Sequence, residues 1–203
     1  MGSVVTGILA LDLSKSRTGW ALWSPGWAMP RYGSWRLGSE WTTDGGVFAA
    51  VHVRLAELRA VMPFRTIYFE EPIMPANLSG KTNIRTLKLA AGIAAHVESF
   101  AEATGCMAHA VNVGTWRKDF VGADLVKDAQ AAARAKRVIT GKGSARDKLK
   151  ALAVGRCRQL GMTPRSDDEA DAIGILDFAL DFHEHVTPPW RAAEVLRAPL
   201  GAA

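Results

Sequence analysis

Ile8-Leu9-Ala10-Leu11-Asp12, followed by Ser14-Lys15-Ser16-Arg17 and then Thr18-Gly19-Trp20-Ala21-Leu22-Trp23, is the stretch that decides the fold. The run from Val4 to Asp12 is apolar and rich in β-branched residues, the next four residues named are polar turn formers, and the chain then returns as a second apolar run. Strand, tight turn and strand in that order make a β-hairpin. Its first strand ends on an acid, Asp12.

Outward from the hairpin, a third short strand is expected at Arg31 to Leu37, after Pro25, Gly26 and Pro30. Val47, Val51, Leu55 and Leu58 recur at helical spacing and predict a helix over Val47 to Val61, ended by Pro63. Thr66 to Glu70 reads as the next strand, stopped by Pro72 and Pro75. Thr82 to Thr104 is a long helix closed by Gly105. Met107 to Val113 is expected as a strand of the buried type. Short and longer helices follow at Thr115 to Phe120, Asp124 to Val138 and Ala145 to Leu160, with a loop from Thr140 to Ser144. A last helix starts near Asp168 and runs to Phe182. Strands first, then interleaved and finally dominant helices, predict an α/β domain with a mixed five-stranded sheet flanked by helices. Residues 1–186 are assigned to that domain, and 187–203, with Pro188, Pro189 and Pro199, to a partly ordered tail.

The chain has 203 residues, 25 Lys plus Arg against 20 Asp plus Glu, a net charge of +5 and a pI of 9.5. A chain of this size forms one domain that buries roughly 70% of its extended surface. With several acids committed to one site, the remaining surface is more basic than the net figure, which favours a polyanionic partner. Cys106 and Cys157 lack metal-site spacing and read as buried thiols. No long apolar run predicts a membrane span or signal segment, so a cytoplasmic protein is expected.

Three further acids stand in distinctive local patterns. Glu70 ends Ile67-Tyr68-Phe69-Glu70, with Glu71 beside it, and successive strand residues face opposite ways, so only one of the two can share a site with Asp12. Asp168 and Asp171 lie three apart in Asp167-Asp168-Glu169-Ala170-Asp171, on one face of a helix's first turn. An Asp at a strand end can serve an Asx-turn, and acids at a helix start suit the cap and the dipole. Four acids within five positions exceed what capping needs, and such crowding repels itself unless cations are present. Together the four predict an oxygen-ligand site for a hard divalent cation.

The strand ending on Asp12 with Thr18-Gly19-Trp20-Ala21, then Ile67-Tyr68-Phe69-Glu70, then Asp168-Glu169-Ala170-Asp171-Ala172, resembles RuvC-type Holliday junction resolvases of the RNase H-like superfamily. The resemblance runs from Val4 to Phe182, takes in Lys88-Leu89-Ala90-Ala91-Gly92, and is most like phage- or prophage-borne members at Thr115-Trp116-Arg117-Lys118. It implies an RNase H-like fold, a homodimer, and cleavage of branched DNA with two Mg²⁺ or Mn²⁺ ions per site. Position by position it implies Asp12, Glu70, Asp168 and Asp171 as metal ligands. Lys148 matches a basic position near the scissile phosphate, and either Arg117 or Lys118 matches another. The sequence departs from the family at Ile73, where classical members carry an aromatic, and in a longer Gly122 to Gly143 stretch. Further basic candidates for DNA are Lys81, Arg85, Lys88, Arg134, Lys136, Arg137, Lys142, Arg146 and Lys150. Competing readings are a ribonuclease or flap-nicking enzyme of the same superfamily, an actin-like ATPase, for which no second phosphate hairpin or adenosine motif is found, and an inactive DNA-binding scaffold.

Overall fold

The computed structural model describes residues 7–72, 84–140 and 143–192. Ile73, Lys81, Lys142 and the chain beyond 192 lie outside the described residues. Among the described residues five strands form one sheet: β1 (Ile8–Asp12), β2 (Thr18–Trp23), β3 (Arg31–Trp35), β4 (Thr66–Glu70) and β5 (Met107–Val111), in the order β3-β2-β1-β4-β5. The first three run antiparallel as hairpins, whereas β4 and β5 join parallel to β1. Parallel pairing needs a crossover. Helices α1 (Asp44–Val61) and α2 (Ile84–Thr104) lie in the two connections that lead to β4 and β5. This is an RNase H-like α/β fold.

Alternation along the strands divides the core in two. Leu9, Leu11, Leu22, Ile67 and Phe69 pack against α1 and α2. Ile8, Ala10, Ala21, Trp23 and Tyr68 face the other layer, built from α3 (Val113–Val121), α4 (Ala123–Thr140), α5 (Arg146–Gln159) and α6 (Asp167–Phe178). Helix α6 is buried from Glu169 to Phe178, which explains why its sequence shows little amphipathic pattern. The cysteines are free, Cys157 buried in one layer and Cys106 half-buried in the other.

Two expectations change. The strand expected as buried, β5, is a sheet edge: Val111 alone is buried and Met107 is exposed. Its apolar character reflects small alanines on an edge rather than full coverage. The packed body also continues beyond residue 186, because α7 (Pro189–Ala192) returns onto α6. Trp190 is 1% exposed and donates its indole N–H to Asp177 at 2.6 Å. Arg191 binds Asp177 as well, and reaches Asp181 at 2.7 Å and Asp119 of α3 at 3.0 Å.

One glycine sets the position of α6. Gly19 pairs with Asp12 across the hairpin, and a Cβ at Gly19 would overlap the Asp168 carbonyl. Only a residue without a side chain lets β2 pass so close to the start of α6.

Gly19→Ala is expected to lower stability by about 2 kcal/mol or more, a fall in Tm of roughly 4–8 °C for a chain of this length. Thermal unfolding of the variant measures it. Arg191→Ala leaves Asp177 buried without its cation and is expected to cost about 3 kcal/mol, read as a lower denaturant midpoint.

Candidate acid cluster

Register brings the acids together. Leu11 pairs with Phe69, so Asp12 and Glu70 stand at neighbouring ends of β1 and β4. Both follow residues that face α6, namely Ala10 and Tyr68, and therefore point to the same side. Glu71 continues the opposite side, is exposed, and uses its backbone N–H on Val111. Across the gap, Ser166 caps α6 by accepting from the Glu169 N–H. The cap leaves Asp168 and Asp171 on the turn that faces the strand ends.

Asp12 and Asp171 feel the other acids. Burial pushes the Asp12 carboxyl well above its usual range, and Asp171, Glu70 and Asp168 add to the rise while Lys150 opposes it. Burial likewise raises Asp171, to about 6, against the pull of Arg117 and with a further rise from Glu70. Glu70 is also raised by burial, partly offset by Arg117, by its hydrogen bond from Trp116 and by Lys150.

The compensating groups come from α3 and α5. Trp116, fully buried, donates its indole N–H to Glu70 Oε2 at 3.2 Å. Arg117 donates to Asp171 Oδ2 at 2.8 Å, with side chains only 15% and 3% exposed, and its guanidinium lies 4.5 Å over the Trp116 ring. Lys150 pairs with Asp167 and stands 3.5 Å from Asp168 Oδ1. Burial opposes its charge, but these aspartates hold its ammonium pKa above the usual value. From the hairpin turn, Arg17 reaches within 3.9 Å of Asp168.

The structure thus brings Asp12, Glu70, Asp168 and Asp171 to one place, with Arg117 beside them. Lys118 is exposed on the same helix, and so is Lys148 on α5. The basic side chain that stands beside the acids is Lys150, two residues on from Lys148 and on roughly the opposite side of the helix, about 200° round. Among the other basic candidates, Lys88, Arg134, Lys136, Arg137 and Arg146 are exposed on helices.

The donor set fits a hard divalent cation in kind: all four groups offer carboxylate oxygen, and Asp171 Oδ1 is buried without a hydrogen-bond partner among the described residues. Among those residues, no three His, Cys, Asp or Glu side chains are gathered closely enough to hold an ion as they stand. Arg117 and Lys150 engage the oxygens instead, so a cation there would compete with them.

A carboxyl with a raised folded-state pKa binds its proton more tightly in the folded protein. Its contribution to stability is therefore greatest below the ordinary carboxylate pKa and is lost as pH rises through the raised value. In chelator, Asp12→Asn is expected to raise stability at pH 7 by about 1–2 kcal/mol, because one buried like charge is gone. The gain should shrink toward pH 4, as followed by thermal unfolding across pH.

No protein-family model matches the chain, and no curated protein matches it as a relative. Solved structures do match. The Thermus thermophilus RuvC structure superposes with a TM-score of 0.53 at 16% identity, over 84% of this chain and 90% of that one. T. thermophilus RuvC in complex with Holliday junction substrate gives 0.53 at 14%, over 87% and 96%. The yeast mitochondrial Holliday junction resolvase Ydc2 gives 0.51 at 11%, over 95% and 83%. At these identities the likeness is one of fold, and the chain has the RuvC-like form of the RNase H-like fold.

Proposed function

We propose that this protein is a structure-selective endonuclease that cuts branched DNA, four-way junctions above all. The observation that carries the reading is the largely buried carboxylate cluster with Asp171 Oδ1, unpartnered among the described residues, set among cationic side chains at one end of β1 and β4. Two neighbouring solved structures are described as Holliday junction resolvase and as RuvC with its junction substrate. No helix among the described residues is long and apolar enough to cross a membrane.

In this reading Asp12, Glu70, Asp168 and Asp171 hold Mg²⁺ or Mn²⁺, two ions per site. Such ions, when bound, supply a polarised phosphate and a water acidic enough to attack it. The chain's own residues do the rest. The indole N–H of Trp116 keeps Glu70 oriented. Arg117, released from Asp171, and Lys150, released from Asp167 and Asp168, offer their donors to the non-bridging oxygens of the scissile phosphate and stabilise charge as it develops there. In-line attack of water on phosphorus breaks the bond to the 3′ oxygen and leaves a 5′-phosphate and a 3′-hydroxyl. Exposed bases on α2, α4 and α5 add salt-dependent affinity. Paired cuts in a junction need two such centres, so a homodimer belongs to the proposal.

The test is incubation with labelled four-way junction, Y-fork, duplex DNA and RNA–DNA hybrid, with Mg²⁺ or Mn²⁺ and with chelator. Symmetric cuts in the junction and little duplex cleavage are expected. Asp12→Asn should abolish cutting, and Arg117→Ala should slow it by about 10²-fold or more. Preferential cutting of the hybrid would assign a ribonuclease instead, and activity retained by Asp12→Asn would contradict the proposed site.

A further inference from the structure

A cavity of about 720 Å³ opens beside the acid cluster at the β3 edge of the sheet, lined by Trp20, Tyr32, Trp35, Arg17, Arg165 and Glu169 among others. Its size is that of a small-ligand site, about 300–1,000 Å³. Trp20 and Trp35 stack with ring centroids 5.9 Å apart and planes at 25°. Gly33 permits this: a Cβ there would come within 2.8 Å of the Trp20 ring. Glu169 forms part of the wall and is 5% exposed, its oxygens accepting from Ser34 Oγ at 3.1 Å and the Arg165 N–H at 2.8 Å. Each carboxylate oxygen keeps a further lone pair. Arg17 joins the cavity to the cluster through Asp168.

We propose that this cavity takes one unpaired nucleobase from the strand that runs into the acid cluster. The inference rests on the reading of the protein as a DNA nuclease and gives that reading a physical basis for preferring branches. Indole faces stack on any base, independent of sequence. A carboxylate in the wall repels a phosphate and accepts from the amino or imino edge of a base. Phosphates are instead held by the guanidiniums of Arg17 and Arg165, the exposed basic groups of the lining. A base paired within duplex cannot enter, whereas one splayed at a branch can.

The experiment avoids cleavage by working in chelator. The full chain, with its tryptophan indoles labelled for NMR, is titrated with a single-stranded decamer, the same decamer made abasic at each position in turn, and a hairpin duplex of equal phosphate count. The Trp20 and Trp35 indole N–H signals should move with the decamer and not with the duplex. Affinity should fall about tenfold when one particular base is missing. Arg165→Ala should weaken strand binding more than duplex binding. Glu169→Gln should alter the ranking of dC against dT decamers, and Trp35→Phe, checked for normal unfolding, should retain the abasic effect. Equal shifts with duplex, or no abasic position that matters, would overturn the cavity assignment. If junctions are cut while both indoles stay silent, the cavity alone is refuted; if neither DNA binding nor cutting occurs, the nuclease reading fails with it.

Discussion

The Asp12 carboxylate loses hydration at the end of β1 and lies in the fields of Asp171, Glu70 and Asp168. Buried like charges raise one another's pKa and oppose folding unless positive charge or donated hydrogen bonds offset them. Much of the surrounding structure can be traced to that requirement. Two helices deliver the offset, Trp116 and Arg117 from α3 and Lys150 from α5, facing the capped first turn of α6 that presents two of the acids.

The offsetting groups work only if α3 stays fixed to α6. Arg191 does this at the far end of both helices, binding Asp119 of α3 and Asp177 of α6 together, while Trp190 seals Asp177 from water. At the near end the Gly19 contact presses β2 against the Asp168 carbonyl. The acids are thus held close by packing remote from them, in the way that functional sites store unfavourable electrostatics against a stable scaffold.

Much of this was legible in the sequence. Every strand and the main helices announce themselves by period and by Gly and Pro punctuation, and the four acids stand at element ends where strand or helix geometry makes them converge. Strand alternation also decides between Glu70 and Glu71 once Tyr68 and Phe69 are assigned to their layers. Lys150 was within reach too. Helical arithmetic puts it about 60° from the centre of the Leu149, Ala153 and Cys157 stripe, and Lys148 about 140° away; the stripe is the buried face of α5. The exposure of β5 and the return of α7 were not legible, because edge position and the Asp177–Trp190–Arg191 network depend on contacts remote in sequence. The Trp20–Trp35 cavity is hidden for the same reason, since its walls come from β2, β3 and the approach to α6.

The most direct test of the account is Mn²⁺ binding to the isolated protein, followed by calorimetry and electron paramagnetic resonance without any DNA. Saturable binding is predicted for the natural chain, weakened strongly by Asp171→Asn and competing with the Arg117 and Lys150 ion pairs, so that Lys150→Ala binds more tightly. Mn²⁺ binding that is absent, or that is the same in Asp171→Asn, would contradict it.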